Sequence, residues 1–402
     1  MLSIHSSPIG MLGTRDTGGM SVYVRAVAQD LGQLGHSIDI YTARPNGDGE
    51  VILSLGKNVN LIQLGTGNGQ NISPAAMYRR LPDLFQDLET FRTRHAIDYD
   101  VIHSHYWLSG CLGKMAQERW ERPHVVTFHT LAAVKNNTGI GPPEPALRLA
   151  TERKVADECH LIVSTTERER GQLNRFYNAV PEKVVVVPCG VDLELFRPMA
   201  TVAARQKLGY ARQDSILLYV GRFEPLKGID RLLEAAAIFM RQRPVRVVLV
   251  GGDGPRSNEE KRLRKVVRAF GLQDHVTFAG RIEQQHLPLY YSAADVLVVS
   301  SHYESFGLVV LESLACGTPV VATPVGAIES ILIEGRSGHV LDDSGAESLA
   351  AGIERLLFTP ESGRRPMAAE DIRATVRHRS WSTVAATLSQ EYTNVCISGG
   401  RT

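Results

Sequence analysis

The sequence predicts an α/β fold made of two doubly wound, parallel-sheet domains. Three observations lead there: the length, the alternation of apolar strands with amphipathic helices, and a restart of that alternation past the middle. At roughly 100–200 residues per domain, 402 residues are enough for two domains with cores of their own. Strands that are apolar throughout, rather than on alternate residues, belong to parallel sheets covered by helices on both faces.

In chain order, LSIHS (Leu2–Ser6) would be the first strand. It is short for a central strand, so a short edge and a start further upstream both fit. GGMSVYVRAVAQDLGQLG (Gly18–Gly35) has the spacing of an amphipathic helix. HSIDIYTA (His36–Ala43) and NLIQL (Asn60–Leu64) read as strands, and AAMYRRLPDLFQDLETFRT (Ala75–Thr93) as a helix. DVIHSH (Asp100–His105), HVVTFHT (His124–Thr130), HLIVST (His160–Thr165) and KVVVVP (Lys183–Pro188) complete the first series of strands. A polar, Pro-bearing stretch follows, and strands resume at SILLYVG (Ser215–Gly221). VRVVLVG (Val245–Gly251), HVTFAG (His275–Gly280), DVLVVS (Asp295–Ser300) and TPVVAT (Thr318–Thr323) come next. RLLEAAAIFM (Arg231–Met240) and GLVVLESLAC (Gly307–Cys316) are helices among them. The expected domains are residues 1–192 and 193–378. The final helical segment, 379–402 with WSTVAATLSQEYTNVC, is expected to pack back on the first domain.

Composition narrows the function classes. With 44 Lys+Arg against 43 Asp+Glu, the chain has no basic excess for a nucleic acid or a membrane surface. Its 43% hydrophobic content is that of a globular protein, and no apolar run nears the roughly 20 residues of a membrane helix. MLSIHSSP has neither the basic nor the apolar region of a secretory signal, so a cytoplasmic location is expected. The five cysteines (Cys111, Cys159, Cys189, Cys316, Cys396) are scattered, with no C-x-x-C pair. They read as small buried residues rather than a zinc site or disulfide framework.

Anion chemistry concentrates in the second half. VGRFEPLKGID (Val220–Asp230) sets Arg222 and Lys227 in a turn at the carboxyl end of a strand, where α/β sheets bind ligands. A planar fork of donors and a mobile ammonium together suit a diphosphate; two solvated surface cations are the plainer reading. SSHYESFGLVVLESLACGTPVVAT (Ser300–Thr323) supports the first. A helix opening near Phe306–Gly307 leaves the amides of Phe306, Gly307 and Leu308 free for an oxyanion, with Glu304 before it and Glu312 within it. The two carboxylates would suit sugar and ribose hydroxyls, or be a capping acid and a solvated face. VVLVGGDGPR fails as a dinucleotide fingerprint, because Ser257 stands where a third Gly is needed. GKM and GKN are not Walker A sequences.

In the first half, Gly18-Gly19 opens a helix and allows close approach of phosphate or sugar. The alternative is an ordinary helix entry capped by Thr17. VIHSHYWLSG clusters His103, His105 and Tyr106 at a strand end. Without an evident third ligand this reads as polar packing rather than a metal site. His129-Thr130 ends another strand, and Arg148 in LRLATERKVA is a candidate anion contact.

These residues carry a family pattern. The chain resembles the retaining family 4 glycosyltransferases over nearly its whole length, through GGM, HSHYWLSG, HTLAAVKN, VGRFEPLKG and ESFGLVVLE. HSHYWLSG with HTLAAVKN narrows the likeness to the branch holding sucrose and sucrose-phosphate synthases and the inositol-phosphate N-acetylglucosaminyltransferases, with the nearest likeness to the last. The resemblance implies the GT-B fold, two Rossmann-like domains facing a cleft. It implies a UDP-sugar donor, no metal and no other cofactor, a small polyol or sugar acceptor, and no nucleic-acid or membrane partner. A homodimer is compatible with it. It further implies that Arg222 and Lys227 hold the donor diphosphate, that Glu304 meets the donor sugar, and that the Phe306, Gly307 and Leu308 amides meet the distal phosphate. Glu312 would face the ribose, the backbone near Arg281 the uracil, Gly19 the diphosphate, and His129 the anomeric carbon. The catalytic set is then His129, Arg222, Lys227 and Glu304, and the acceptor set is His5, Asp16, Tyr106, Thr130 and Arg148.

Two positions depart from that pattern. Pro74 stands where the family has a lysine for the acceptor phosphate, and Ser21 where it has asparagine. Loss of one ionic contact is worth about 1.5–3 kcal/mol. Either Arg79 or Arg80 substitutes, or the acceptor differs from inositol phosphate. The alternatives are a sucrose-synthase-like transferase using fructose or its phosphate and, in another class, a non-catalytic nucleotide-sugar-binding protein. A nicotinamide oxidoreductase is disfavoured by the broken glycine fingerprint.

Overall fold

The computed structural model describes residues 1–10, 17–44, 49–65, 73–240, 244–343, 345–357 and 368–399. They form two compact units. One takes in Met1–Gly10, the chain up to Cys189, and the C-terminal stretch from Trp381; the other is built on Gly190–Ser380.

The first unit contains β1 (Ile38–Arg44), β2 (Glu50–Gly56), β3 (Val59–Gly65), β4 (Ile102–His105), β5 (His124–Thr127), β6 (Leu161–Ser164) and β7 (Val184–Val186). Its ladders run β1-β3-β2 and β4-β5-β6-β7. The chain start joins them. Leu2 bridges in parallel to both Tyr41 and Ser104, with Leu2 N donating to His103 O at 2.8 Å and Ser3 N to Tyr41 O at 2.9 Å. The short LSIHS segment is therefore central, buried between β1 and β4. Leu2 and Ile4 sit in a core with Ile62, Leu84, Leu88, Leu108 and Leu112.

Some expectations for this unit need correction. β2 was not anticipated, and it pairs antiparallel with β3, so the sheet is not wholly parallel. Its EVILSLG residues lie at an edge and leave Ile52 50% exposed, which blurs the burial signal. The helix expected over Ala75–Thr93 is two, Pro74–Arg79 and Leu81–Arg94, because Pro82 cannot continue the first. The strand expected to reach Thr130 stops at Thr127. The N-cap position of the helix Gly19–Gln33 is Gly18, one residue later than the Thr17 expected. The terminal helix Trp381–Gly399 lies against Gly19–Gln33. The Trp381 and Tyr23 rings meet edge-on at 5.6 Å, and Leu388 is fully buried.

The second unit holds β8 (Ile216–Val220), β9 (Arg246–Val250), β10 (Val276–Gly280), β11 (Val296–Val299), β12 (Val320–Ala322) and β13 (Gly338–Val340), in the order β10-β9-β8-β11-β12-β13 with every pair parallel. Leu217, Leu249, Val296, Val298 and Val321 pack with Leu232, Leu233 and Ile353 from the covering helices. Leu218, Val248, Leu297 and Val320, on the opposite face, are buried as well, so these strands are apolar on both faces. The strand order reverses between β8 and β11. Open sheets bind ligands in the crevice beyond the carboxyl ends of strands at such a reversal. The first unit has the same feature between its N-terminal segment and β4.

Candidate active site

In the second unit the reversal brings together the turns after β8 and β11. Lys227 closes a 3-10 turn, Pro225–Lys227, and its Nζ meets Glu304 Oε1 at 2.7 Å; the two side chains are 17% and 14% exposed. Ser301 Oγ donates to the same carboxylate oxygen at 2.8 Å. Ser300 Oγ donates to Lys227 O at 3.1 Å, pinning one turn to the other. Gly228 makes the approach feasible: its φ is +60°, and a Cβ there would lie 2.1 Å from Ser300 O. Arg222 is more open and pairs with Glu224 at 3.1 Å. Its carbonyl accepts a 2.8 Å bond from the buried Tyr219 hydroxyl.

Gly307, at φ +98°, is the N-cap of the helix Leu308–Ala315. The amides of Phe306, Gly307 and Leu308 come before any intrahelical carbonyl can reach them, so they form a ready oxyanion site. Glu312 lies within that helix. It is buried, accepts the Tyr291 hydroxyl at 2.7 Å, and burial pushes its pKa up to about 7. Arg281 directly follows β10 and stands 3.9 Å from Asp253.

In the first unit the reversal brings together His5, after the N-terminal segment, and Tyr106, after β4. Their rings are 4.9 Å apart. The Arg148 guanidinium lies 4.8 Å from the Tyr106 ring and is only 3% exposed. It donates through Nε to Glu152 at 2.7 Å, and through Nη2 to Thr130 O at 3.0 Å and Thr130 Oγ1 at 2.8 Å; Nη1 meets Glu144 at 3.0 Å. Thus His5, Tyr106, Thr130 and Arg148 form one cluster. Asp16 lies outside the described residues. Gly19 is the first residue of the helix Gly19–Gln33.

His129 follows β5, with its Nε2 3.0 Å from His105 Nδ1 and its ring 5.1 Å from Tyr23. Burial draws its pKa down to about 3. Tyr106 and His129, at the ends of neighbouring strands, both have left-handed backbones, φ +76° and +60°. Such strain in bulky residues costs about 1–3 kcal/mol each and clusters at functional sites. His103 is polar packing, bonded to Tyr392 at 2.6 Å and Thr127 at 2.9 Å. No group of His, Cys, Asp or Glu suited to a metal occurs among the described residues. Nor is any helix among them long and apolar enough to cross a membrane. Of the cysteines, Cys159, Cys189 and Cys316 are buried, whereas Cys111 and Cys396 are only partly so.

Sequence reasoning did not find Glu144, Glu152, Tyr23 or Tyr291. The spacing of Arg148 four residues from both glutamates was a usable signal for the first two. Nothing local pointed to the tyrosines.

Two α/β units with a cation pair and open helix amides at a sheet reversal suit an enzyme that binds a phosphorylated ligand. Residues 17–195 match the Glycosyltransferase Family 4 model and 202–370 the Glycosyl transferases group 1 model. The chain is 39% identical over 401 residues to a D-inositol 3-phosphate glycosyltransferase of Thermobispora bispora, covering 98% of this chain and 93% of that one. It also resembles the solved sucrose-phosphate synthase of Thermosynechococcus elongatus, with TM-score 0.89, 30% identity, and 99% and 98% of the two chains covered. Anabaena HepE, solved with UDP and glucose, shares the fold at TM-score 0.75 and 18% identity, over 98% of both chains. The protein belongs to glycosyltransferase family 4 and has the GT-B fold.

Proposed function

We propose that the enzyme is a retaining hexosyltransferase. It moves N-acetylglucosamine or glucose from a UDP-sugar to a hydroxyl of a small phosphorylated polyol, with inositol phosphate the first choice. The 39% likeness to a D-inositol 3-phosphate glycosyltransferase along 98% of the chain carries this reading.

Arg222, Lys227 and the amides of Phe306, Gly307 and Leu308 take the diphosphate. As the bond from the anomeric carbon to the phosphate oxygen breaks, negative charge grows there, and fixed donors hold it without reorganisation. The acceptor hydroxyl attacks from the same face. Its oxygen bonds to the anomeric carbon, its proton passes to the leaving phosphate oxygen, and UDP departs. Glu304 meets the sugar hydroxyls, Glu312 the ribose, the backbone at Arg281 the uracil, Gly19 the diphosphate, and His129 the neighbourhood of the anomeric carbon.

His5, Asp16, Tyr106, Thr130 and Arg148 take the acceptor. Arg148 has four of its five N–H groups engaged and two carboxylates beside it, so it is a modest phosphate anchor alone. Arg80 is a second source of charge that compensates for Pro74. Its Nη1 is buried without a hydrogen-bond partner among the described residues. It follows a helix whose Tyr78 stacks on Trp107 at 5.8 Å, next to Tyr106. The enzyme works in the cytoplasm without a metal, alone or as a homodimer.

A sucrose-phosphate-synthase-like reaction is the second reading, favoured by the TM-score of 0.89. A mass-spectrometric screen of UDP-N-acetylglucosamine and UDP-glucose against inositol phosphate, fructose and fructose phosphate separates the two. An inositol-phosphate glycoside of retained configuration is expected. A fructose-phosphate product favours the second reading, and UDP-sugar binding without UDP release from any pair defeats both.

A further inference from the structure

His105 is the one member of the first unit's histidine cluster whose ring leads directly to His129. It is wholly buried, its Nδ1 is 3.0 Å from His129 Nε2, and its Nε2 is buried with no hydrogen-bond partner among the described residues. Burial keeps both rings neutral at pH 7, with His129 near 3 and His105 well below its ordinary value. Two neutral rings joined by one nitrogen–nitrogen contact share a single proton along it. If that proton sat on His129, His105 would carry its own on Nε2, a buried N–H with no acceptor. Such orphaned N–H groups are rare, while an unpaired lone pair is tolerated more readily. His103 cannot take this role, because Tyr392 and Thr127 occupy both of its ring nitrogens.

We propose that His105 is a positioning residue that donates its Nδ1–H to His129 Nε2 and so holds His129 as the tautomer with its proton on Nδ1. His129 then presents an N–H, not a lone pair, from its other nitrogen. That is the form suited to a sugar oxygen and unsuited to taking a proton from the acceptor. Fixing one tautomer through the far nitrogen is a common way to commit a histidine to a role. The inference rests on the reading of His129 as a site residue.

The test is long-range proton–nitrogen NMR of the whole enzyme with 15N-labelled histidine, the two rings being assigned from the signals lost in H105N and H129Q. Protonated Nδ1 and bare Nε2 in both rings are expected; a protonated Nε2 on either ring overturns the proposal. In kinetics, H105F is expected to lose about tenfold in kcat with donor KM moving less than about threefold, the worth of one neutral hydrogen bond. H105N, whose amide nitrogen replaces Nδ1, should restore most of that loss. An H105F enzyme that keeps the wild-type kcat refutes the positioning role. An H129A enzyme with the wild-type kcat instead defeats the reading of His129 itself, whatever the tautomer.

Discussion

Lys227→Met probes the donor turn most sharply, because it has two separable consequences. In the protein alone, Lys227 Nζ is the only cation 2.7 Å from Glu304 Oε1 among the described residues, and both side chains are less than one-fifth exposed. Truncating it leaves Glu304 with the Ser301 hydroxyl and whatever water reaches it. An under-satisfied, partly buried acceptor costs about 1–3 kcal/mol. At about 2–4 °C per kcal/mol for a domain of this size, Tm should fall by about 2–12 °C. With donor bound, the lost ammonium removes a charge-assisted bond to the diphosphate worth about 1.5–3 kcal/mol. That is about 10- to 150-fold in kcat/KM. Adding Glu304→Gln separates the effects, because the neutral amide no longer needs the cation. The double variant should recover most of the Tm and none of the activity. Released UDP gives kcat/KM, and a thermal melt gives Tm. A single K227M variant within about threefold of wild-type kcat/KM would refute the assignment of Lys227 to the diphosphate.

Further outcomes follow from the same geometry. Glu312 folds with its carboxyl raised from 4.5 to about 7, so the folded state prefers the proton. That preference stabilises the protein below pH 4.5 and is lost as pH rises to about 7. Glu312→Gln should match the wild type in Tm at the acid end and exceed it by up to about 3 kcal/mol of stability above pH 7; parallel melts across the window would contradict it. Gly228→Ala meets both a left-handed φ and a carbonyl at 2.1 Å, so donor KM should rise and Tm should fall, and an unchanged variant removes the need for that close approach. Arg148→Met strands the fully buried Glu152 and should destabilise by about 3–5 kcal/mol. Adding Glu152→Gln should recover much of this in chemical denaturation.

Much of the fold was legible because its driving force is local and repetitive. Runs such as VLVV, buried at every residue in β11, read as covered strands because they are short, rich in valine and repeat between helical stretches, and the turns that follow β8 and β11 carry their chemistry in a few consecutive residues. What was not legible depends on the chain meeting itself. Lys227 and Glu304 are 77 positions apart, and only the reversal of strand order brings them together. The N-terminal strand looked too short because its partners, Tyr41 and Ser104, are distant in sequence. β2 escaped notice because an exposed edge strand lacks the buried pattern of the others. The left-handed backbones at Tyr106 and His129 could not be read from the sequence, since tyrosine disfavours that region and histidine, though enriched there, occupies it only in a small minority of cases. The gathering of His5, Tyr106, Thr130 and Arg148 was reached through resemblance. The residues alone placed Tyr106 and Thr130 at strand ends and marked Arg148 as a candidate anion contact, with nothing to join them to one another or to His5.

A crystal structure of the enzyme with UDP bears most directly on the account. The diphosphate oxygens should lie within hydrogen-bonding distance of the Arg222 guanidinium, the Lys227 ammonium and the amides that open the helix Leu308–Ala315. A diphosphate bound elsewhere, with those groups contacting only protein, would contradict it.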